Sequence, residues 1–166
     1  MANSLPTMNR HNIQQWLDAF KQACEKQNVM KPHWVRAALA VLPPLYVDFF
    51  EQRQGEVKSW DEFKTCMCDL DHFLSNLLNF KKLENERDID IVHRFENHWR
   101  ALVAYLPHRS SFLAMGKTEF LPVLASAFTN PNLCLLTQSC ASDPRMTMAH
   151  CIMGIIRQAV AYEENH

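Results

Sequence analysis

The spacing of apolar residues between Trp60 and Leu77 constrains the fold more than any other feature. These residues recur at offsets of 0, 3, 7, 10, 14 and 17, and they are Trp60, Phe63, Met67, Leu70, Leu74 and Leu77. A period near 3.6 residues places them on one face of a helix. Ser59 followed by Glu62 is a capping-box pattern, in which both side chains accept backbone N–H groups. We therefore predict a long helix that begins after Ser59, with Trp60 and Phe63 facing inward and a turn near Asp71 as its one candidate interruption.

The same spacing recurs in the preceding part of the chain. It predicts a first helix from about 12 to 27, with the apolar stripe Ile13, Trp16, Leu17, Phe20 and Cys24. A second helix has Pro32 at its start and Pro43 after its end, with the stripe Val35, Ala38, Leu39 and Leu42. A short aromatic helix follows, for which Gly55 is the expected stop.

The polar segment "NFKKLENERD" (79–88) is the predicted linker to the second half of the chain. A helix ending at Pro107 comes next, with the stripe Val92, Phe95, Trp99, Leu102 and Leu106. We expect the following helix to be capped near Thr118, with Pro122 in its first turn. A short helix after Pro131 and a last helix from Thr147 complete the pattern. No run alternates as a strand does, so the predicted fold class is all-α.

Charge and composition exclude several classes of function. The formal net charge is −1, and no basic cluster occurs beyond Lys81-Lys82, so we expect nucleic acid to bind at most weakly. No stretch approaches the roughly 20 apolar residues of a membrane span, and the first residues lack a signal-peptide core. The six cysteines are expected to be reduced, in a soluble cytoplasmic chain.

Catalytic and metal-binding patterns are absent from the sequence. Cys66 and Cys68 with His72 nearby are zinc-ligand types, but helical residues two apart point about 200° away from each other. Other pairs also fail to face each other at helical spacing, namely His93 with His98, His150 with Cys151, and Asp88 with Asp90. We therefore predict no enzyme activity, no cofactor, no metal ion and no small-molecule substrate.

The aromatic residues of the first half have two interpretations. Large aromatics at helical spacing usually form a core, but a small helical lobe cannot hide all of them, and the remainder would mark a contact surface. The candidate interface or groove residues are Trp34, Tyr46, Phe50 and Trp60. Ile152 and Ile156 are added as candidates because the last helix has more apolar residues than one buried face requires.

The order of these helices resembles a known protein family. "WLDAFKQACEKQNV", "PHWVRAALAVLPPLYVDFFEQ" and "SWDEFKTCMCDL" together resemble the N-lobe of the Gag capsid protein of Gypsy-class LTR retrotransposons and of its domesticated, Arc-like relatives. Trp60 and Phe63 stand at the "W-x-x-F" of that family. "DIVHRFENHWRALVAYLP" is similar to the first helix of its C-lobe.

The resemblance implies two small helical lobes, at 10–80 and 84–163, joined by a short linker. It implies a structural capsid protein whose partner is itself, with rings formed through the N-lobe and dimers through the C-lobe. Such a chain would reside in the cytoplasm or within virus-like particles, and nucleic acid would be held at most weakly and indirectly. The alternative is a domesticated adaptor that binds a host peptide in the aromatic groove of the N-lobe.

Overall fold

The computed structural model of the chain describes residues 5–8, 12–53, 57–107 and 110–164. Within these ranges the regular elements are all helices, so the fold is all-α as predicted. The elements are α1 (Ile13–Lys26), a 3₁₀ turn (Lys31–His33), α2 (Trp34–Val41), α3 (Pro44–Glu51), α4 (Trp60–Leu78), α5 (Asp88–Tyr105), α6 (Ser111–Ala127), α7 (Pro131–Ser142) and α8 (Met148–Glu164). Gly55, the predicted stop of α3, lies outside the described residues.

Local side-chain chemistry sets both ends of α1. The Asn12 side chain accepts the Gln15 N–H at its start, as N-cap residues do. At its end Asn28 takes a left-handed conformation with a φ of 59°. The N–H of Val29 then donates to the Cys24 carbonyl oxygen over 2.9 Å, and the N–H of Asn28 donates to that of Glu25. This is a Schellman motif with asparagine in place of glycine.

The predicted buried face of α4 is confirmed. All six residues of its stripe are at most 5% exposed, and the helix continues past Asp71 without interruption. The Ser59 hydroxyl accepts the Glu62 N–H over 3.2 Å, as the capping box requires. The Glu62 carboxylate, however, accepts the N–H of Lys58 rather than that of Ser59.

The buried face of α2 differs in phase from the prediction. Trp34, Ala38 and Leu42, each four residues apart, are buried, whereas Val35 and Leu39 of the predicted stripe are only half-buried. Pro32 lies in the 3₁₀ turn that precedes the helix. The buried face of α2 therefore contains the large Trp34 ring, and the smaller Val35 lies at the edge of that face.

The prediction for α6 was wrong about where the helix begins. The helix begins at Ser111, seven residues before Thr118, and Pro122 therefore lies well inside it rather than in its first turn. The early turns are held by packing, since Phe112 is completely buried and Gly116 lies against the Trp99 ring. Tertiary burial of this kind overrides the local cap signal and the usual cost of an internal proline.

Two side chains hold the loops of the second half of the chain. The Asp88 carboxylate, at the start of α5, accepts the backbone N–H groups of Thr129 and Asn130, over 2.9 and 3.0 Å. The Lys117 ammonium of α6 donates to the carbonyl oxygens of Asp143 and Met146, in the loop between α7 and α8. Both loops are thereby tied to helices that are distant in sequence.

The chain divides into two compact units. The first comprises residues 1–72 and 106–111, and the second comprises 73–105 and 112–166, so that α4 contributes to both. The first unit contains α1 to α3, and in the second α8 packs against both α5 and α7. The assignment of capsid lobes to 10–80 and 84–163 stays a prediction.

Candidate protein-interaction surface

The four aromatic interface candidates lie in the interior of the first unit. Trp34, Phe50 and Trp60 are each 5% exposed, and Tyr46 is 3% exposed. The centroid of the Trp60 ring lies 5.5 Å from that of Phe20, which it stacks on, and 5.6 Å from that of Trp34, which meets it edge-on. The Trp34 indole N–H donates to the Val29 carbonyl oxygen over 2.8 Å.

We call Phe20, Trp34, Phe50, Trp60 and Phe63 the aromatic cluster. Phe63 joins it through stacked contacts with Trp60 and Phe50, whose ring centroids lie 5.2 and 4.8 Å away. Rings at these separations and angles attract each other beyond their simple burial. The cluster therefore packs the first unit, and a part for Trp34, Tyr46, Phe50 and Trp60 in any interface stays a prediction.

The second unit has an open apolar groove between α5 and α8. The groove has a volume of about 350 Å³. It is lined by Glu96, Trp99, Arg100, Val103 and Ala104 of α5 and by Ala149, Ile152 and Met153 of α8. Ile152, one of the two candidates on the last helix, is 2% exposed and belongs to its floor. Ile156 follows one turn later and is half-buried.

The α8 helix is apolar on two faces. Its inward face is buried and consists of Met148, Cys151, Ile152, Ile155 and Ala159. A second row at offsets of 0, 4, 7 and 11 consists of Ala149, Met153, Ile156 and Val160, which we call the outward stripe. Met153 is 50% exposed and Val160 is 38% exposed, while Val103 of α5 is 39% exposed at the groove. A helix that is apolar on so much of its circumference usually has a partner on both faces.

Charged residues stand at the α5 edge of the groove. The Arg100 guanidinium lies 3.5 Å from the Glu96 carboxylate, one turn away, with the Arg100 side chain 73% exposed and that of Glu96 19% exposed. Because the Arg100 end of this ion pair is largely in solvent, the pair contributes only modestly to folding stability. At the edge of an apolar surface, such charges instead orient a partner and select against wrong ones.

The Trp99 side of the groove depends on a glycine that sequence reasoning missed. A Cβ atom added to Gly116 would lie 2.6 Å from a carbon of the Trp99 ring, so only glycine allows α6 this close. Trp99 is 8% exposed, and its ring also meets that of Phe120 edge-on, at a centroid distance of 6.1 Å. Gly116 therefore allows α6 to pack closely against the Trp99 indole, which lines the groove.

The sequence indicated part of this surface. Ile152 and Ile156 were named from the apolar excess of the last helix, and they do lie at the groove and beside it. Val103 and Met153, its exposed large apolar residues, were not named. The outward stripe was visible as a second helical period, but periodicity does not say which of two apolar rows stays uncovered.

None of the six cysteines forms a disulfide, and the thiol of one has a strongly shifted pKa. Cys24, Cys140 and Cys151 are buried. Burial, together with the neighbouring Cys140, raises the pKa of the Cys151 thiol to about 11. Its S–H donates to the Cys140 carbonyl oxygen over 3.6 Å. A neutral, enclosed thiol of this kind is a poor nucleophile.

The described parts of the chain contain neither a metal-binding cluster nor a membrane-spanning helix. No group of three or more histidine, cysteine or acidic side chains is placed there to hold a metal ion. Among the same residues, no helix combines the length and apolar character needed to cross a bilayer. Comparison of the chain with protein families, with curated proteins and with solved structures yields no significant match.

Proposed function

We propose that this chain is a Gag-like capsid protein that assembles with copies of itself, in the cytoplasm or within virus-like particles. The observation that carries the proposal is the α5–α8 groove with its exposed outward stripe. An apolar surface of this kind is expected where a second protein docks. The order of the helices, which resembles a capsid N-lobe followed by a C-lobe, favours a second copy as the partner.

A two-fold contact suits the chemistry of the groove. In a two-fold contact the same surface of both copies meets, so every residue pair occurs twice. Met153 of each copy would cover the groove of the other, against Val103 and Ile152. Glu96 of one copy would face Arg100 of the second copy, which turns an ion pair within one chain into two pairs across the contact.

The expected strength of one such contact is low. Full burial of a methionine or valine side chain contributes about 1.5–3 kcal/mol. Met153, Val103 and Val160 are already half covered or more, so each would contribute about 1 kcal/mol, or about 6 kcal/mol for two copies. Association costs about 4–15 kcal/mol in lost freedom of motion. A pair of copies is therefore weak, and stability comes from closed rings with several contacts per copy.

Nucleic acid is not proposed as a direct partner. The chain has a formal net charge of −1, so it lacks the excess of lysine and arginine that phosphate backbones attract. We propose that nucleic acid associates at most weakly and indirectly. The adaptor alternative has less support, because Trp34, Tyr46 and Phe50 are only 3–5% exposed.

The proposal is tested by light scattering and electron microscopy across salt and protein concentration. We expect a mass that rises with concentration, and shells or tubes at the highest concentrations. Met153→Asp should abolish this rise, because a carboxylate would have to be buried in the apolar groove. The matched control is Leu135→Asp, since Leu135 is 62% exposed but lies on α7 and outside the groove.

Two results would contradict the proposal in different ways. A chain that stays monomeric under every condition would rule out self-assembly as its function. Assembly that Met153→Asp leaves unchanged would keep self-assembly but remove the α5–α8 groove as the contact. Circular dichroism of both variants checks that the helices are retained.

A further inference from the structure

The polar segment between α4 and α5 is held in a defined conformation. Arg94 of α5 donates to the Lys81 carbonyl oxygen over 2.6 Å and to both oxygens of the Glu86 carboxylate over 2.8 Å. Glu86 in turn accepts the N–H of Leu83 over 3.0 Å. The Arg94 guanidinium also lies over the Phe80 ring, 4.2 Å from its centroid. These contacts within the chain hold the backbone of Lys81 and Lys82 in a defined conformation without a partner.

This segment forms one wall of a second groove, of about 620 Å³, and α6 forms the other. We call it the α6 groove. Phe80, Lys81 and Lys82 line one side, and Pro122, Val123, Ser126 and Ala127 of α6 line the other. The α6 wall is thus largely apolar, and Pro122 has no backbone N–H to offer a ligand.

The charge of the α6 groove is entirely positive. None of its lining residues is acidic. Lys81 and Lys82 are both exposed, and neither lies in an ion pair with another described residue. Among the carboxylates of the segment, Glu86 pairs with Arg94 and is also acted on electrostatically by Lys82, and Glu84 and Asp88 do not line the groove. Two lysines on a rigid backbone beside an apolar wall are complementary to carboxylates that flank an apolar side chain.

We infer that the α6 groove binds an acidic peptide segment of a partner protein, with one aliphatic side chain against Pro122, Val123 and Ala127 and flanking carboxylates at Lys81 and Lys82. The inference goes beyond self-assembly, because it concerns a different surface and a different partner. A single-stranded nucleic acid fits less well. Phe80 is 6% exposed, so no aromatic face is open for a base to stack on, and two lysines are few for a phosphate backbone.

Fluorescence polarisation with the full chain tests the inference. The probe is a fluorescein-labelled peptide in which a central leucine is flanked by glutamates. We expect saturable binding that weakens as salt is raised, because exposed charges are screened. The double variant K81E/K82E should weaken binding about tenfold, because two attractions become two repulsions.

Matched controls separate this site from general electrostatics. K21E/K26E makes the same change of charge at exposed lysines of α1 and should bind the probe as the wild type does. A peptide with serine in place of leucine should bind more weakly, because it lacks the aliphatic contact. We expect each variant to keep its helices, because Arg94 contacts the backbone carbonyl of Lys81 and not its side chain. Circular dichroism checks this.

Three outcomes would overturn the inference. The first is equal binding by the wild type and K81E/K82E. The second is an equal loss in K21E/K26E, which would mean non-specific attraction. The third is a labelled oligothymidine that binds through Lys81 and Lys82 while the acidic peptide does not, which would make the groove a nucleic-acid site.

Discussion

The inward stripe of α4, which contributes Trp60 and Phe63 to the aromatic cluster, and the outward stripe of α8 are both rows of apolar residues at helical spacing. They differ in what covers them. Trp60 is enclosed by Phe20, Trp34 and Phe63, whereas Met153 and Val160 keep 50% and 38% of their surface exposed. The comparison teaches that helical periodicity identifies an apolar face but not whether that face is covered by its own chain.

The largest effect is expected from Trp60→Ala. Removing a ring that touches three others should lower the free energy of unfolding by about 3–5 kcal/mol, since the cavity cannot collapse fully. Urea denaturation followed by circular dichroism measures it, with Met30→Ala, at a side chain 67% exposed, as the control. A loss below about 1 kcal/mol would mean that the Trp60 ring is not part of the core, and Trp60 would again be a candidate groove residue.

A glycine pair gives the next largest effect. Gly116→Ala should destabilise the protein by about 1–3 kcal/mol, because the new methyl group overlaps the Trp99 ring. At Gly154, also within a helix, an added Cβ meets nothing within 4 Å. Gly154→Ala should therefore stabilise by about 0.5–1 kcal/mol. Thermal unfolding of the two variants checks that the first loses stability and the second gains it. An unchanged stability of Gly116→Ala would mean that α6 can move away from Trp99.

A charge exchange at the groove sharpens the contrast between open and covered surfaces. Arg100→Glu should weaken self-association by about 1 kcal/mol, because each two-fold contact would then bring Glu96 against a second carboxylate. Glu96→Arg combined with Arg100→Glu should restore it. Sedimentation equilibrium measures both. Urea denaturation of each variant separates a change in folding stability from a change in association, because the Glu96 side chain is only 19% exposed. Failure of the double exchange to restore association would exclude this pairing.

The last prediction concerns the pH dependence of stability that Cys151, on the inward face of α8, should cause. Its pKa rises from an ordinary 9.0 to about 11 in the folded chain, chiefly through burial. The folded state thus holds this proton more tightly than the unfolded state, so the stabilisation is complete below pH 9 and is lost as pH rises toward 11. Between pH 9 and pH 11, the unfolding temperature should therefore fall more steeply in the wild type than in Cys151→Ala. Parallel curves would mean that the inward face is open to solvent.

Most of the helical pattern could be predicted, and the exceptions have physical causes. The five buried residues of α1 and the six of α4 were identified correctly, because each stripe is a property of one local stretch. The start of α6 was missed, since Thr118 offered a local cap while Phe112 and Gly116 are placed by packing against other helices. The phase of α2 was missed because Val35 and Leu39 fit a helical period as well as Trp34 and Ala38 do, and only packing decides which row is buried.

The two proposed surfaces were less predictable than the helices. Ile152 and Ile156 were named on α8, which lines one of them, but Val103, Trp99 and Met153 meet only when α5 packs on α8. The α6 groove could not be predicted from the sequence either. Its lining brings Lys81 and Lys82 together with Pro122, which is about forty positions away in sequence. Such contacts leave no local period in the sequence.

The sequence by itself determined the all-α class, the approximate bounds of most helices and the inward faces of α1 and α4. These follow from spacing, caps and prolines, which act over a few residues. Only the tertiary structure decided which apolar row of α8 stays open, how Gly116 admits the Trp99 ring and how Arg94 holds the segment beside α6. Each of these depends on groups that are far apart along the chain, whose meeting is set by the packing of whole helices.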